Sequence, residues 1–311
     1  MRAILLVLIA CVVAFLGWLL LPWRFEPPPV AGEGDAERGA YVLRMGGCVT
    51  CHSTDQGGFL AGGRAIESPY GTFYTSNITP DPETGIGGWS SADFVLAMTQ
   101  GVAPEGHPYY PAFPYTSYAG MARQDLLDLK VYLDTVDPVR NEVPAHDLGF
   151  PALFRFPLRV WQLLYLEDDP VPFEPDRDEV WQRGAYLVNG PGHCGECHTP
   201  RNGLGATIER RFLAGVPKSG PDDKAAPNIT PHEDGIGDWT MTDITFALQT
   251  GILPDGDTVG GDMGSVVKDA TSHLTPADLE AIAIYLMTVE PKPDAPAPRR
   301  GDSEASAAGE G

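Results

Sequence analysis

The chain of 311 residues has a composition and a charge that exclude several classes of protein. Its 42 Asp and Glu against 21 Lys and Arg give a net charge of −21, which excludes a nucleic-acid partner because phosphate binding needs clustered basic residues. Hydrophobic residues make up 43%, so the chain can bury cores and is not disordered throughout. The length fits two domains, and the 36 Gly and 30 Pro favour short helices joined by structured loops.

The chain begins with an apolar run of 19 residues, Ala3 to Leu21. At about 1.5 Å rise per residue a helix of this length spans a hydrocarbon core, and Trp18 and Trp23 suit the membrane interface. We expect residues 1–24 to form an uncleaved transmembrane anchor. A cleaved signal peptide is an alternative, and so is a lipoprotein, because Leu8-Ile9-Ala10-Cys11 resembles a lipobox.

Four motifs of the first half recur in the second half at an offset of about 150 residues, which indicates an internal duplication. The pairs are Arg38-Gly39-Ala40-Tyr41 with Arg183-Gly184-Ala185-Tyr186, Cys48-Val49-Thr50-Cys51-His52 with Cys194-Gly195-Glu196-Cys197-His198, Asn77-Ile78-Thr79-Pro80 with Asn228-Ile229-Thr230-Pro231, and Gly85-Ile86-Gly87-Gly88-Trp89 with Gly235-Ile236-Gly237-Asp238-Trp239. Each copy ends in a segment with the apolar spacing of a helix, Asp125 to Leu133 and Ala277 to Leu286.

The duplication predicts two homologous domains, 33–136 and 178–290. The connector 137–177 is proline-rich and carries bulky side chains, so we expect it to pack across both domains; these are Phe154, Phe156, Trp161, Leu164 and Tyr165. The tail 291–311 consists of Pro, Ala, Ser, Gly and charged residues, and we expect it to be disordered.

The pentapeptide C-x-x-C-H occurs once in each predicted domain and is the attachment signature of c-type haem. Two thiols on one turn, Cys48 with Cys51 and Cys194 with Cys197, can reach both vinyl groups of a porphyrin, and the next residue, His52 or His198, can bind the iron. A zinc site would leave the His after each pair unexplained. A thioredoxin-type pair would need a β-α-β pattern, which is absent.

The two motifs therefore predict two covalently bound haem c groups. We expect an all-α fold of two tandem class I cytochrome c domains behind an N-terminal transmembrane helix. Because haem c is attached on the outer side of the bacterial inner membrane, both domains are expected in the periplasm. The fifth cysteine, Cys11, belongs to the apolar run, so no disulfide is expected.

A second axial ligand for each iron decides between a carrier and a catalyst. In the second domain we expect Met263, flanked by glycine in the loop ahead of the last helix. In the first domain we expect Met121, just ahead of the last helix, although a hydrophobic staple is a competing role. His107 or an open site are alternatives there, while Met98 fits a helix core.

Several other residues are candidates for the haem pockets. Asn77 and Asn228 could donate to haem propionates, or could stabilise tight turns together with the neighbouring Thr. Trp89 and Trp239 are expected to line the haem pockets or to pack the core, and Arg64 could pair with a propionate or face solvent.

Close helix crossings are expected within each domain. Tyr132 and Tyr285 on the last helices should meet Gly39 and Gly184 on the first helices, where the missing side chain permits a close approach.

These motifs, together with Tyr110-Pro111-Ala112-Phe113-Pro114-Tyr115 and Asn141-Glu142-Val143-Pro144, resemble those of one family over roughly residues 35 to 290. It comprises the multihaem cytochrome c subunits of membrane-bound bacterial dehydrogenases for alcohols, gluconate, sorbitol and related substrates. Those subunits commonly carry three haem domains and often have Met where Phe113 stands. The resemblance implies electron transfer from a catalytic subunit, through the haems, to ubiquinone or another cytochrome.

Two functions are therefore considered. The first is a membrane-anchored dihaem electron carrier without enzyme activity of its own, whose acidic surface docks a basic redox partner. The second is a haem enzyme, such as a dihaem peroxidase or a thiosulfate-oxidising cytochrome, with an open or labile site in the first domain.

Overall fold

The structure is a computed structural model, and it describes residues 2–20, 32–54, 57–150, 152–217 and 225–296. By their contacts the residues fall into two compact units. Unit 1 comprises Met1–Pro170 with Lys268–His273, and unit 2 comprises Val171–Val267 with Leu274–Gly311. Trp23 and residues 297–311 of the predicted tail lie outside the described residues.

The described part of unit 1 is mostly helical. Its helices are α1 (Arg2–Leu20), α2 (Ala36–Met45), α3 (Cys48–His52), α4 (Ser91–Gln100), α5 (Tyr115–Tyr118), α6 (Arg123–Leu133) and α7 (Leu158–Tyr165). Among the residues described, no helix has the length and apolarity needed to cross a membrane. The predicted transmembrane anchor over residues 1–24 is therefore not confirmed, and residues 21–24 lie outside the described part.

Unit 1 also contains a small antiparallel sheet in the order β1-β2-β3, which corrects the expectation of an all-α fold. The strands are β1 (Ala65–Ser68), β2 (Gly71–Tyr74) and β3 (Asp147–Leu148). A Cβ on Gly71 would lie 2.2 Å from the Asp147 carbonyl oxygen, so only glycine lets β3 approach here. The predicted connector thus supplies a strand to the first unit.

Helices also dominate the described part of unit 2. They are α8 (Glu179–Asn189), α9 (Gly195–His198), α10 (Met241–Thr250), α11 (Gly261–Asp269) and α12 (Pro276–Leu286), with 3-10 turns at Glu209–Arg211 and Thr271–His273. The last residues of α11 and the second 3-10 turn are counted with unit 1. Helix α11 replaces the loop that the sequence predicted around Met263.

The duplicated motifs produce matching helix starts. Ser90 caps the start of α4 and Thr240 caps the start of α10. In each case the cap side chain accepts a hydrogen bond from the backbone N–H of an Asp three residues on, and the carboxylate of that Asp accepts one from the backbone N–H of the cap residue. Such reciprocal caps satisfy backbone donors that the first helical turn leaves without a partner. The Trp before each cap, Trp89 or Trp239, is half-buried.

Helices α2 and α6 of unit 1 cross at a glycine, and so do helices α8 and α12 of unit 2, as predicted. A Cβ on Gly39 of α2 would lie 2.0 Å from the Asp128 carbonyl oxygen of α6 and 2.7 Å from the Tyr132 Cβ. In unit 2 a Cβ on Gly184 of α8 would lie 2.0 Å from the Ala281 carbonyl oxygen and 2.8 Å from the Tyr285 Cβ. The predicted close crossings are confirmed in both units.

An Arg–Asp pair joins the same two helices beside each crossing. The buried Asp128 carboxylate accepts from the Arg38 Nε at 2.8 Å and Nη2 at 3.1 Å, from the Gln124 Nε2 at 2.9 Å and from the Asp35 N–H at 2.8 Å. Arg183 binds Asp278 through two bonds of 2.8 Å in unit 2. Hydrogen bonds to an ionised carboxylate favour its charged form, and the pKa of Asp128 is lowered, mainly by Arg38.

The connector and the tail differ from the predictions. Of the five bulky side chains expected to pack across both domains, Phe154, Phe156 and Leu164 are exposed by 49%, 41% and 62%, whereas Trp161 and Tyr165 are half-buried. The beginning of the predicted disordered tail is ordered against unit 2, where the Ala295 N–H donates to the Ala214 carbonyl and the Ala295 side chain is buried. Tertiary hydrogen bonds to residues 292 and 295 hold the described beginning of the tail in place.

Substituting Gly184→Ala is expected to lower the free energy of unfolding by about 1–3 kcal/mol, because the new Cβ forces α8 and α12 apart. The gain in helix propensity, about 1 kcal/mol, is too small to compensate. Chemical denaturation measures the difference. Gly203→Ala is the matched control, since a Cβ at Gly203 meets no atom within 4 Å. Equal stability of the two variants would contradict the close crossing.

Substituting Asp128→Asn is expected to change the acid dependence of stability. A lowered pKa means that the carboxylate stabilises the fold above its unfolded pKa, about 3.9, and that this contribution is lost as the pH falls through the folded pKa. At pH 7 the variant should be less stable by about 1–3 kcal/mol, and the difference should shrink on acidification. Denaturant titrations across this pH range test it. Glu142→Gln is the control, because the Glu142 side chain is 80% exposed. If the stability difference between Asp128→Asn and the native chain did not change with pH, the Asp128 carboxylate would not be the stabilising group.

Candidate haem sites

The first C-x-x-C-H motif forms a helical turn of its own, α3. Cys48 and Cys51 lie one turn apart, both half-buried, and no disulfide joins them. Burial, and then the neighbouring Cys51, raise the pKa of the Cys48 thiol to about 12. The two thiols therefore lie one turn apart in the same short helix, within reach of a single porphyrin.

The second motif repeats this arrangement in unit 2. Cys194 caps α9, and Cys197 and His198 lie within it. Burial, and then Cys197, raise the pKa of the Cys194 thiol to about 12. The two motifs thus offer the same donor set in two separate units.

Both histidines are oriented by a backbone carbonyl. The His52 Nδ1 lies 2.7 Å from the Ser76 carbonyl oxygen, and the His198 Nδ1 lies 2.7 Å from the Pro227 carbonyl oxygen. A carbonyl only accepts, so Nδ1 carries the proton and the Nε2 lone pair is left for a metal. Burial lowers the pKa of both imidazoles, against the raising effect of the carbonyl, so the rings are held neutral.

The Asn-Ile-Thr turn of unit 1 follows directly on the carbonyl that orients His52. The Asn77 Nδ2 donates to the Val139 carbonyl at 2.7 Å and to the Thr84 Oγ1 at 3.0 Å, and its Oδ1 accepts from the Thr79 N–H at 3.0 Å. Both amide hydrogens of Asn77 are used inside the protein. Of the two roles considered for Asn77, these bonds favour the turn over propionate binding.

Unit 2 has the same turn with a different partner. The Asn228 Nδ2 donates to the Lys292 carbonyl at 2.7 Å, and its Oδ1 accepts from the Thr230 N–H at 2.9 Å. The Lys292 N–H in turn donates to the Thr230 Oγ1 at 3.1 Å. Val139 follows α6 and Lys292 follows α12, so in each case the turn fixes the chain that leaves this helix.

A further pair of residues was missed by the motif comparison. Leu60 and Leu213 have φ values of +60° and +61°, a left-handed conformation that costs a leucine about 1–2 kcal/mol, and both are fully buried. The Leu60 N–H donates to the Ser53 Oγ, and the Ile78 N–H donates to the Leu60 carbonyl. Leu213 makes the equivalent bonds, to Thr199 and from Ile229. The signal was Phe-Leu-Ala-Gly, which occurs at 59–62 and again at 212–215.

The two predicted methionines do not occupy equivalent positions. Met121 is buried, with 6% exposed, and directly precedes the cap of α6, as Leu274 directly precedes the cap of α12. The Met121 N–H donates to the Tyr118 carbonyl, and the Tyr118 hydroxyl donates to the Gly46 carbonyl at 3.2 Å. Met121 is thereby tied to the chain just ahead of Cys48.

Met263 lies in the first turn of α11 and is half-buried. Met263 lies 13 residues ahead of the first residue of α12, and the residue at the same distance ahead of α6 is Tyr110. The two units would therefore supply their sixth ligands from different parts of the fold.

The structure also places three other residues considered in the sequence, namely the alternative ligand His107, the core residue Met98 and the propionate candidate Arg64. The His107 ring is 43% exposed and its Nδ1 lies 3.9 Å from a Glu105 carboxylate oxygen. Met98 is buried within α4, as expected of a core residue. Arg64 donates from its Nη1 to the Thr50 carbonyl inside the first C-x-x-C-H motif.

The residues present fit a covalently attached porphyrin. Each unit combines two neighbouring thiols with a neutral imidazole whose Nε2 is free of a proton. A bare metal ion has less support, because no group of three or more His, Cys, Asp or Glu side chains that could hold one occurs among the described residues.

Comparison with known proteins agrees with this chemistry. No protein-family model matches the chain. It is 45% identical to a "Diheme cytochrome c-type" protein of Cereibacter sphaeroides over 285 residues, 88% of this chain and 92% of that protein. It is 40% identical to the cytochrome c subunit of an alcohol dehydrogenase (quinone) of Gluconacetobacter polyoxogenes, over 88% of this chain and 60% of that subunit. It is also 37% identical to a fructose dehydrogenase cytochrome subunit of Gluconobacter japonicus, over 86% of this chain and 55% of that subunit.

The chain therefore belongs to the family of c-type cytochromes that includes dihaem cytochromes and the cytochrome c subunits of bacterial dehydrogenases. This confirms the resemblance seen in the sequence. The chain spans nearly the full length of the dihaem relative, 60% of the alcohol dehydrogenase cytochrome and 55% of the fructose dehydrogenase cytochrome.

Proposed function

We propose that the chain is a dihaem electron-transfer subunit with two covalently bound haem c groups and without a catalytic site for a substrate. The observation that carries this is the duplicated arrangement of thiol pair, helical turn and imidazole held by a carbonyl at 2.7 Å in both units. Relatives named as dihaem cytochrome and dehydrogenase cytochrome subunits support it.

Within this proposal Cys48 and Cys51 hold one haem, Cys194 and Cys197 hold the other, and His52 and His198 are the axial ligands from Nε2. Each haem c, when bound, supplies a one-electron centre whose potential depends on its ligands and their hydrogen bonds. The Ser76 and Pro227 carbonyls fix the imidazole orientation and strengthen its donation. Met121 and Met263 complete the two ligand sets. The domains 33–136 and 178–290 remain our proposed haem domains.

We further propose that the N-terminal segment attaches the chain to the bacterial inner membrane, with the haem domains in the periplasm. The support is the apolar run from Ala3 to Leu21 and the exposure of its side chains in α1, where Ile4 to Ile9 are 50–66% exposed. An uncompensated apolar surface of this kind is stable only against lipid or protein.

The electron donor we propose is the catalytic subunit of a dehydrogenase, and the acceptor is ubiquinone or another cytochrome. The support is that relatives are named as cytochrome subunits of dehydrogenases, one of them quinone-dependent. The net charge of −21 favours a partner with a basic docking surface, and this charge would act mainly on the association rate.

Intact-mass measurement of the denatured chain, after expression with haem c maturation, tests the covalent attachment. We expect the mass of two haems on the unmodified chain. Each double substitution, Cys48→Ala with Cys51→Ala or Cys194→Ala with Cys197→Ala, should remove the mass of one haem. Cys11→Ala is the control and should retain two. Because the readout is covalent mass, it does not depend on whether a variant folds. The proposal is refuted if the chain with its native sequence carries no haem mass.

Carbon monoxide binding to the reduced protein tests the axial methionines and the rival enzyme function together. We expect no binding to the unmodified chain, since both irons have two protein ligands. Met121→Leu and Met263→Leu should each open one site and produce a high-spin spectrum, whereas Met98→Leu, in the core of α4, should not. Binding by the unmodified chain, with turnover of peroxide or thiosulfate, would instead favour a haem enzyme.

A further inference from the structure

The segment around α7 buries polar side chains and exposes apolar ones, which is the reverse of an ordinary amphipathic helix. Arg159 and Gln162 are buried, each with 3% of the surface exposed, and Arg155 is half-buried. Six of its apolar side chains face outward: Phe150 is 82% exposed, Leu153 60%, Phe154 49%, Phe156 41%, Leu163 73% and Leu164 62%. We call these six side chains the Phe150–Leu164 patch.

The inward polar groups are held by specific bonds, so the inversion is built into unit 1. The Gln162 Nε2 donates to the Gln100 and Gly101 carbonyls at 3.0 and 3.1 Å, at the end of α4. The Arg155 Nη1 donates to the Pro108 carbonyl at 3.1 Å, and its guanidinium carbon lies 4.6 Å from the centre of the Tyr110 ring. Leu158 and Trp161 also pack inward, Leu158 beside the cluster of Phe73, Tyr110 and Leu148 and Trp161 against the Tyr115 ring, and the patch side chains remain outside.

The patch is tied to the end of the apolar N-terminal helix. The Arg159 Nη1 donates to the Trp18 carbonyl, in the last turn of α1, and its Nη2 lies 3.5 Å from the Gly106 carbonyl oxygen. Trp18 itself is 38% exposed. The exit of α1 and the outward face of α7 therefore belong to one region of unit 1.

We propose that the Phe150–Leu164 patch inserts into the interface of the lipid bilayer to which α1 attaches. This inference rests on the membrane attachment proposed above. The phenyl rings of Phe150 and Phe154 are 6.5 Å apart and those of Phe154 and Phe156 are 5.8 Å apart, so they form one contiguous apolar surface. Clustered Phe and Leu beside a membrane-attached helix bind the boundary between headgroups and acyl chains.

The position of the patch beside the end of α1 favours lipid as its partner. Its outward side chains are Phe and Leu, which form the apolar face of helices that lie in a membrane interface, and both arginines face inward. The exposed acidic residues Glu167, Asp168 and Asp169 follow the patch directly. Insertion is therefore driven by apolar burial, and anionic lipid does not strengthen it.

Spin labels in phosphatidylcholine vesicles test the proposal on the full-length holoprotein. Leu164→Cys and Phe154→Cys are each labelled in a Cys11→Ser background, with Glu142→Cys, 80% exposed, as control. At both patch positions we expect the ratio of oxygen to nickel-chelate accessibility to be several-fold higher than at the control. Adding phosphatidylglycerol should not raise it. The second patch position keeps the test decisive if one variant fails to fold.

Labelling the native Cys11 distinguishes a failure of the membrane attachment from a failure of the patch to insert. If the label on Cys11 lies in lipid while both patch labels lie in water, the attachment stands and the patch proposal is overturned. If all labels lie in water, the membrane attachment itself fails. If a patch label is shielded from both reagents in lipid-free detergent, another copy of the chain covers the patch. If phosphatidylglycerol raises the accessibility ratio at the patch, the headgroups bind it. Either result overturns apolar insertion.

Discussion

The hydrogen bond from the histidine Nδ1 to a backbone carbonyl is the interaction on which both candidate haem sites depend. It fixes the imidazole tautomer and the direction of Nε2, and it works only if the carbonyl is immobile. The Asn-Ile-Thr turn provides this rigidity, because Asn77 and Asn228 use their side chains to bind the backbone around them. The left-handed leucines Leu60 and Leu213 complete the connection between the motif and the turn. Their strain persists because hydrogen bonds fix the backbone on both sides.

The duplicated units retain this backbone scheme and differ outside it. In unit 1 Arg64 donates to a carbonyl of the C-x-x-C-H motif, whereas the residue equivalent to it in unit 2 is Pro217, which has no side-chain donor. Met121 and Met263 come from non-equivalent positions. Hydrogen bonds near the ligands tune a redox centre, and these surroundings differ between the two units.

Features encoded by neighbouring residues could be predicted from the sequence, and features set by distant contacts could not. The C-x-x-C-H pairs and the close crossings at Gly39 and Gly184 depend on spacing and on glycine, and both are visible in the repeat. The third strand of the sheet depends on Asp147 and Leu148 meeting β2 far earlier in the chain, so no local pattern predicts it. The order of residues 291–296 likewise depends on Asn228 and Thr230, which hold Lys292.

The inverted face of α7 follows from the same need to satisfy backbone carbonyls. Carbonyls at the end of α4, at the end of α1 and in the loop at Pro108 need donors, and helix ends leave such groups without partners inside the helix. Arg155, just ahead of α7, and Arg159 and Gln162, three residues apart on α7, supply those donors. With these polar side chains directed inward, Leu153, Phe156, Leu163 and Leu164 are 41–73% exposed. Hydropathy alone predicts the opposite orientation because it does not count unsatisfied carbonyls.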